Sequence, residues 1–351
     1  MSLYSQALQF IITGLINGSI YAVVALGFSI IHSTTGVINF AQGEFVMLGA
    51  LLMVTLTAPP PPPPQAFAMA LSGAVLLGAG LTVILTALRF PKPLALVLAG
   101  FGSLLMCKLL MIILNVLPLP TLLAFALAVA GTVLVGALLE RLALRPVRHS
   151  SIVTLVIITI GASILLRGAA MLIWGTDPQP LKPFSESAPL LLGDAVVVPQ
   201  GIWVIGITVG LVILLHFLFG YTSLGKAMRA CAMNPQAARL VGVSVERTVL
   251  GSFALSAGLG AVAGILIAPI SGAGYDMGTM LGLKGFCAVM LGGLGSSVGA
   301  ILGGFSLGIA QELGAGFGFS GYKDAIAFFV LLLILFIKPT GLLGRMKDRG
   351  L

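Results

Sequence analysis

The feature that most restricts this chain is a near-continuous succession of apolar runs, each about 20 residues long, separated by short polar breaks. The runs fall at roughly 7–31, 36–57, 66–88, 94–116, 120–139, 151–174, 201–219, 248–270, 283–313 and 322–337. As a helix, a run of that length matches the ~30 Å hydrocarbon thickness of a bilayer. Backbone facing lipid must satisfy its own hydrogen bonds, and no alternating strand pattern of a barrel is present. The sequence therefore predicts an all-α, polytopic transmembrane bundle of about 10 spans (8–11), one membrane domain over residues 1–351. Composition agrees: 8% of residues are charged, against ~25% in soluble domains. The opening MSLYSQALQF has no basic n-region and no small-residue cleavage site, so the first run is expected to remain as a helix.

The net charge of +8 does not point to nucleic acid, because the basic residues sit in short loops between apolar runs. Loop 140–149 carries Glu140, Arg141, Arg145, Arg148 and His149, and segment 220–247 carries Lys226, Arg229, Arg239 and Arg247. Both read as cytoplasmic by the positive-inside rule. Segment 175–200, with Asp177, Lys182, Glu186 and Asp194, reads as external. The tail, with Lys338, Arg345, Lys347 and Arg349, also favours the inside. Since 248–270 leaves the inside, an inside tail requires 283–313 to break into two pieces. The stretch LGGLGSSVGAILGG (291–304) is where glycine would interrupt it.

Ala66–Leu81 matches Ala124–Leu139 at an offset of 58, with 10 of 16 positions identical. This reads as a duplicated or inserted helical pair over 59–118, a unit that preserves the orientation of everything downstream. Pro59–Pro64 cannot continue a helix and is expected as an extended external linker. Cys107, Cys231 and Cys287 show no metal-ligand spacing, and neither a disulfide framework nor a zinc site is expected.

Segment 221–247 is the longest moderately polar stretch between strong spans. Asn234 is a good N-cap, Pro235 suits the first helical position, and Gly242 is a natural left-handed stop. A short capped helix with small residues and Arg239 is what a docking element needs, while an ordinary interfacial loop helix is the alternative. Gly220–Ala227 imitates a phosphate-binding loop, but Ala227 stands where magnesium needs Ser or Thr, and a membrane span precedes it. No nucleotide site is therefore expected in this chain, and no cofactor.

Asn39, Gln42 and Glu44 are read either as pathway or cytoplasmic-gate residues or as structural pairs at the membrane boundary. Asn17 and Tyr21, one turn apart, either line a pathway or bond between helices. Lys108 is expected to snorkel, to pair with a carboxylate such as Glu44, or to sit in a span that is not fully lipid-embedded; Arg167 and Lys284 are expected to snorkel, and Lys323–Asp324 to form a local boundary pair. His32, His149 and His216 are isolated, and no catalytic role is expected of them.

LGKAMRACAMNPQAARLVGVSVERTVLGSFALSAGLGAVAGILIAPI (224–270) resembles the cytoplasmic loop region of branched-chain amino-acid ABC-transporter permeases. The same resemblance holds for GLINGSIYAVVALGFSIIHSTTGVINFAQGEFVMLGA (14–50), for YDMGTMLGLKGFCAVMLGGLGSSVGAILGG, and for YKDAIAFFVLLLILFIKPTGLLG. It covers nearly the whole chain except roughly 59–118, and the N-terminal motif looks like the H-type subunit. The resemblance implies a non-catalytic subunit of a bacterial inner-membrane importer for branched-chain or related amino acids. It would pair with a second, M-type permease, two ATP-binding subunits and a periplasmic substrate-binding protein. It also implies a coupling surface made of Lys226, Arg229, Asn234, Pro235, Ala237, Ala238, Arg239 and Gly242. A self-sufficient secondary transporter or channel is the competing expectation; it would need an intramembrane ion relay, for which Glu44 is the sole candidate.

Overall fold

A computed structural model describes residues 3–57, 120–148, 150–192, 195–338 and 340–343. The expected duplication of Ala66–Leu81, the Pro59–Pro64 linker, Cys107 and Lys108 lie outside these residues, as do His149, Arg345, Lys347 and Arg349. The described chain is built from helices α1 (Leu3–Thr35), α2 (Gln42–Thr57), α3 (Thr121–Leu138), α4 (Ile152–Trp174), α5 (Pro199–Tyr221) and α6 (Ser223–Met233). It continues with α7 (Pro235–Leu240), α8 (Val245–Ser271), α9 (Met277–Gly292), α10 (Ser297–Gly314) and α11 (Lys323–Ile337). A small antiparallel hairpin, β1 (Leu190–Leu192) with β2 (Ala195–Val197), joins α4 to α5.

The all-α membrane bundle expected from the apolar runs is present. Among the described residues, five helices are long and apolar enough to cross a bilayer, or six if α9 and α10 count as one bent span. The expectation of about ten spans is therefore not met within the described residues; two expected runs, 66–88 and 94–116, lie outside them. Two others are shorter as helices than as apolar runs: α2 has 16 residues and α11 has 15. In the first case residues 36–41, though apolar in part, are not helical.

The long helix α1 is the central post. Its middle, from Ile20 to Phe28, is buried in the main core with Leu259, Leu266, Ala288 and Leu307 from α8, α9 and α10. Its closest neighbour is α10, which runs antiparallel to it. A Cβ on Gly308 would strike the backbones of Gly14 and Gly18, and one on Gly304 would strike Ala22. Small residues at this seam let the two backbones approach, which is how helices associate where lipid supplies no hydrophobic drive.

The polar segments sort to two ends. Arg145 and Arg148, just beyond α3, form ion pairs with Glu246 at the start of α8. At the other end of α8, Gln179 and Ala273 form a β-bridge, and the Gln9 side chain bonds both backbone groups of Val196 in the hairpin. The 27 residues of α8 place these ends about 40 Å apart. Loops 140–149 and 220–247 thus share one end, and 175–200 lies at the opposite one, as the charge pattern requires.

The expected break in 283–313 is present. α9 and α10 meet at a bend of 117°. Gly293 (φ 107°) and Gly295 (φ 82°) occupy backbone that other residues rarely adopt, and Ser296 caps α10 by accepting from Gly299 N at 3.0 Å. α9 descends to the end that carries Glu246 and α10 returns from it. Leu342 and Leu343 donate to the carbonyls of Leu291 and Gly292 at 2.8 and 2.9 Å, so residues 340–343 lie against the break, at the same end as 220–247.

Candidate coupling surface and translocation pathway

The loop 222–244 folds into two short helices with closed ends. Thr222 caps α6, accepting from Gly225 N at 3.1 Å. Along α6 the side facing the bundle carries Gly225, Met228 and Cys231, leaving Lys226 and Arg229 exposed. Asn234 Oδ1 then accepts from Gln236 N and Ala237 N, at 2.9 and 3.0 Å, and Pro235 fills the first position of α7. At the far end Gly242 (φ 85°) donates to Arg239 O and Val243 N donates to Ala238 O, at 3.1 and 2.9 Å. These are the two bonds of a Schellman stop. A six-residue helix is unstable alone, and caps at both ends are what hold α7 in shape.

The surface of α7 differs in part from the expectation. Ala237, Arg239 and Gly242 are exposed, but Ala238 is buried against the chain's own body and seats the helix. Three large apolar side chains around α7 face outward: Met233, Leu240 and Val241 are 83%, 90% and 78% exposed. Sequence reasoning passed over them; the available signal was their position in a polar loop with no apolar periodicity to bury them.

Behind α7 lies a cavity of about 480 Å³. Its walls include Asn234 and Arg239 from the loop, Arg145, Arg148 and Glu246, and Thr34, Asn39 and Thr159 from deeper in the bundle. The two arginines clamp one carboxylate, tying the end of α3 to the start of α8 beside α7. This clamp was not legible in the sequence, because its members lie about a hundred positions apart.

Above this cavity the chain takes an irregular path. α1 ends at Thr35, yet α2 starts at depth: Gln42 Oε1 accepts from Ser256 Oγ at 2.6 Å, its Nε2 donates to Ser256 O at 3.2 Å, and Ser256 Oγ also bonds Gly27 O at 2.8 Å. Ser256 is eleven residues along α8 from Val245, about 17 Å from its start. Residues 36–41 climb to this level held by a few bonds. Phe40 N donates to Thr159 Oγ1 at 3.2 Å and Ala41 N to Asn39 Oδ1 at 3.1 Å. Irregular backbone at such a depth is tolerated where it is enclosed by protein or lines a cavity, and both conditions hold here.

Asn39, Gln42 and Glu44 are all at most 1% exposed. Gln42 is fully engaged. Asn39 Nδ2 and Glu44 Oε2 have no partner among the described residues, while Glu44 Oε1 accepts from Ser163 Oγ at 2.7 Å. Glu44 also lines a second cavity, about 340 Å³, with Phe28, Phe40, Phe286 and Arg167. Arg167 does not snorkel; it donates to Thr279 Oγ1 at 2.9 Å across to α9.

Asn17 and Tyr21 take the interhelical alternative. Asn17 Nδ2 donates to Glu312 Oε1 at 2.6 Å and Tyr21 OH to Gln311 Oε1 at 2.8 Å, both on α10, and neither lines the cavities around Glu44 or α7. The expected local pair Lys323–Asp324 is instead two cross-helix pairs. Lys323 meets Glu312 at 2.5 Å and Lys284 meets Asp324 at 2.6 Å, so Lys284 does not snorkel. Two cations and two anions thereby neutralise each other where α9, α10 and α11 converge.

Apolar helices long enough to cross a bilayer, packed around buried polar groups, define a multi-pass membrane protein. The family described as branched-chain amino acid transport system, permease component, matches residues 10–106 and 94–335. The chain is 30% identical over 348 residues to the high-affinity branched-chain amino acid transport system permease protein LivH of Escherichia coli (strain K12), covering 96% of each. It is 31% identical over 349 residues to the corresponding permease protein BraD of Pseudomonas aeruginosa, again covering 96% of each. LivH of Salmonella typhimurium is 29% identical over 348 residues. The chain belongs to the branched-chain amino acid transport permease family, and is a transport permease subunit.

Proposed function

We propose that this chain is the permease subunit of an ATP-driven importer of branched-chain or related amino acids in a bacterial inner membrane. ATP and magnesium are handled by two partner ATPases, a second permease completes the membrane unit, and a periplasmic binding protein delivers substrate. The observation that carries the reading is α7: a helix capped at both ends, ringed by exposed Met233, Leu240 and Val241, and set at the arginine-rich end of the bundle. Exposed apolar anchors with adjacent arginines are the composition of a binding hot spot. Lys226, Arg229 and Arg239 form its charged rim, and Asn234, Pro235, Ala238 and Gly242 keep its shape.

In this reading α7 transmits the closure of the ATPases to the cavity behind it, and Asn39, Gln42 and Glu44 mark the route inward. Differential affinity of the ATPases for ATP in the two access states supplies the driving free energy. Reconstitution tests it. Leucine uptake into proteoliposomes should require ATP, both ATPase subunits and the binding protein; uptake by this chain alone under an ion gradient would establish a secondary transporter instead.

A further inference from the structure

The 340 Å³ cavity has a composition that the pathway reading does not by itself demand. It is small, near the lower end of the ~300–1,000 Å³ typical of ligand pockets. One wall is aromatic: Phe286 of α9 lies 6.1 Å from Phe28 of α1 and 5.8 Å from Phe40, ring centre to ring centre. α4 contributes Ser163 and Arg167 to the lining, and the start of α2 contributes Glu44.

The two charged groups face the same cavity, yet they are not paired with each other. Each is held by a hydroxyl instead: Glu44 Oε1 by Ser163, and the Arg167 guanidinium by Thr279. Among the described residues that leaves Glu44 Oε2 without a partner at 1% residue exposure, and Thr279 as the one hydrogen-bond acceptor of Arg167. A purely structural ion pair at this depth would close to contact, because separated charges in an apolar setting are costly. A carboxyl and a guanidinium that share an aromatic-lined cavity without bonding each other instead fit a ligand that carries both charges and an apolar body.

We infer that this cavity is a transient binding site for a free zwitterionic α-amino acid with an apolar side chain. Arg167 receives the α-carboxylate, Glu44 Oε2 accepts from the α-ammonium, and the side chain lies against Phe28, Phe40 and Phe286. The inference rests on the proposed import of such amino acids and deepens it: selection is not left to the delivering protein alone, since the permease reads both termini of its substrate. An amide or a simple carboxylic acid would leave one charge of the site unanswered.

The test uses the permease–ATPase complex in nanodiscs, without the binding protein, and radiolabelled L-leucine as the probe. Saturable binding is expected, with leucinamide (no carboxylate) and 4-methylpentanoate (no ammonium) competing at least about 10-fold more weakly than leucine, the loss of a hydrogen bond to a charged group. Arg167→Gln should abolish the discrimination against leucinamide, and Glu44→Gln that against 4-methylpentanoate. A merely structural role would weaken all three ligands together. The inference is overturned if the analogue order is the same in both variants as in the unaltered complex. It is also overturned if the unaltered complex binds no leucine saturably yet imports leucine when its binding protein is added. If binding-protein-dependent leucine uptake is itself absent, the proposed substrate class fails, and the site assignment with it.

Discussion

Leu240 offers the sharpest measurement on this molecule. It is 90% exposed at the end of α7, so its side chain makes almost no contact within the chain. Truncating it should leave the fold within about 0.5 kcal/mol of its original stability. If an ATPase subunit covers α7, the same side chain moves from water to an apolar interface, a transfer of about 1.5–3 kcal/mol when complete. Leu240→Ala keeps only the Cβ and should therefore weaken association by roughly 1.5–2.5 kcal/mol, about 10–70-fold in Kd. The assay is titration of purified ATPase onto the permease in nanodiscs, read by biolayer interferometry, with thermal unfolding measured in parallel. Ala238→Leu is the contrast: Ala238 is 3% exposed, so added bulk pushes α7 off its seat at about 1–3 kcal/mol and should register as altered folding and coupling. An affinity for Leu240→Ala within twofold of the original, with unfolding unchanged, would refute the assignment of this face as the docking surface.

Other residues yield further expectations. Asn234→Ala removes the acceptor of two backbone N–H bonds and should cost about 1 kcal/mol locally, seen as faster hydrogen exchange at Gln236 and Ala237 with little change elsewhere. Glu246→Gln breaks the two arginine pairs, whose partners are about 40% exposed; it should change stability by less than about 1 kcal/mol, while lowering transport per ATP hydrolysed in proteoliposomes. Gly308→Leu places a side chain where a Cβ already meets the backbones of Gly14 and Gly18. It should separate α1 from α10 and sharply reduce the folded protein recovered in detergent, as read by size-exclusion chromatography.

Much of the architecture was legible because the bilayer enforces it locally. Apolar length fixed the long helices α1, α4, α5 and α8, and arginine distribution assigned the two ends. The capping logic of α7 was equally readable, since Asn234, Pro235 and Gly242 act within their own turn. Even the break between α9 and α10 followed from counting crossings against the charge of the tail. The failures share one cause: their partners are remote in sequence. Lys284 finds Asp324 and Arg145 finds Glu246, at separations that no local pattern encodes. Ala238 was read as a small residue of the docking helix, and its burial within the chain was not legible, because helix composition does not say which face is seated.

The segment 36–41 shows why hydropathy alone could not reveal the route through the protein. Val37, Ile38, Phe40 and Ala41 score as part of a span, since a transfer scale weighs side chains and is silent about the path of the backbone. What stops α1 and restarts the chain as α2 at depth is hydrogen bonding: Asn39 folds back to Ala41 N, and Thr159 of α4 takes Phe40 N. The consequence is spatial. Asn39 and Thr159 line the cavity behind α7, whereas the next residue, Phe40, lines the cavity of Glu44 and Arg167. A stretch of six residues is therefore part of the partition between the two chambers, and it lacks the repeating bonds of a helix on either side. Opening a helical wall of the same thickness would break a cooperative ladder; displacing this segment breaks the isolated bond from Phe40 N to Thr159 Oγ1. Of the described elements bordering both cavities, α1, α4 and this segment, it alone is not helical, and it lines the cavity behind the helix on which the ATPases are proposed to act.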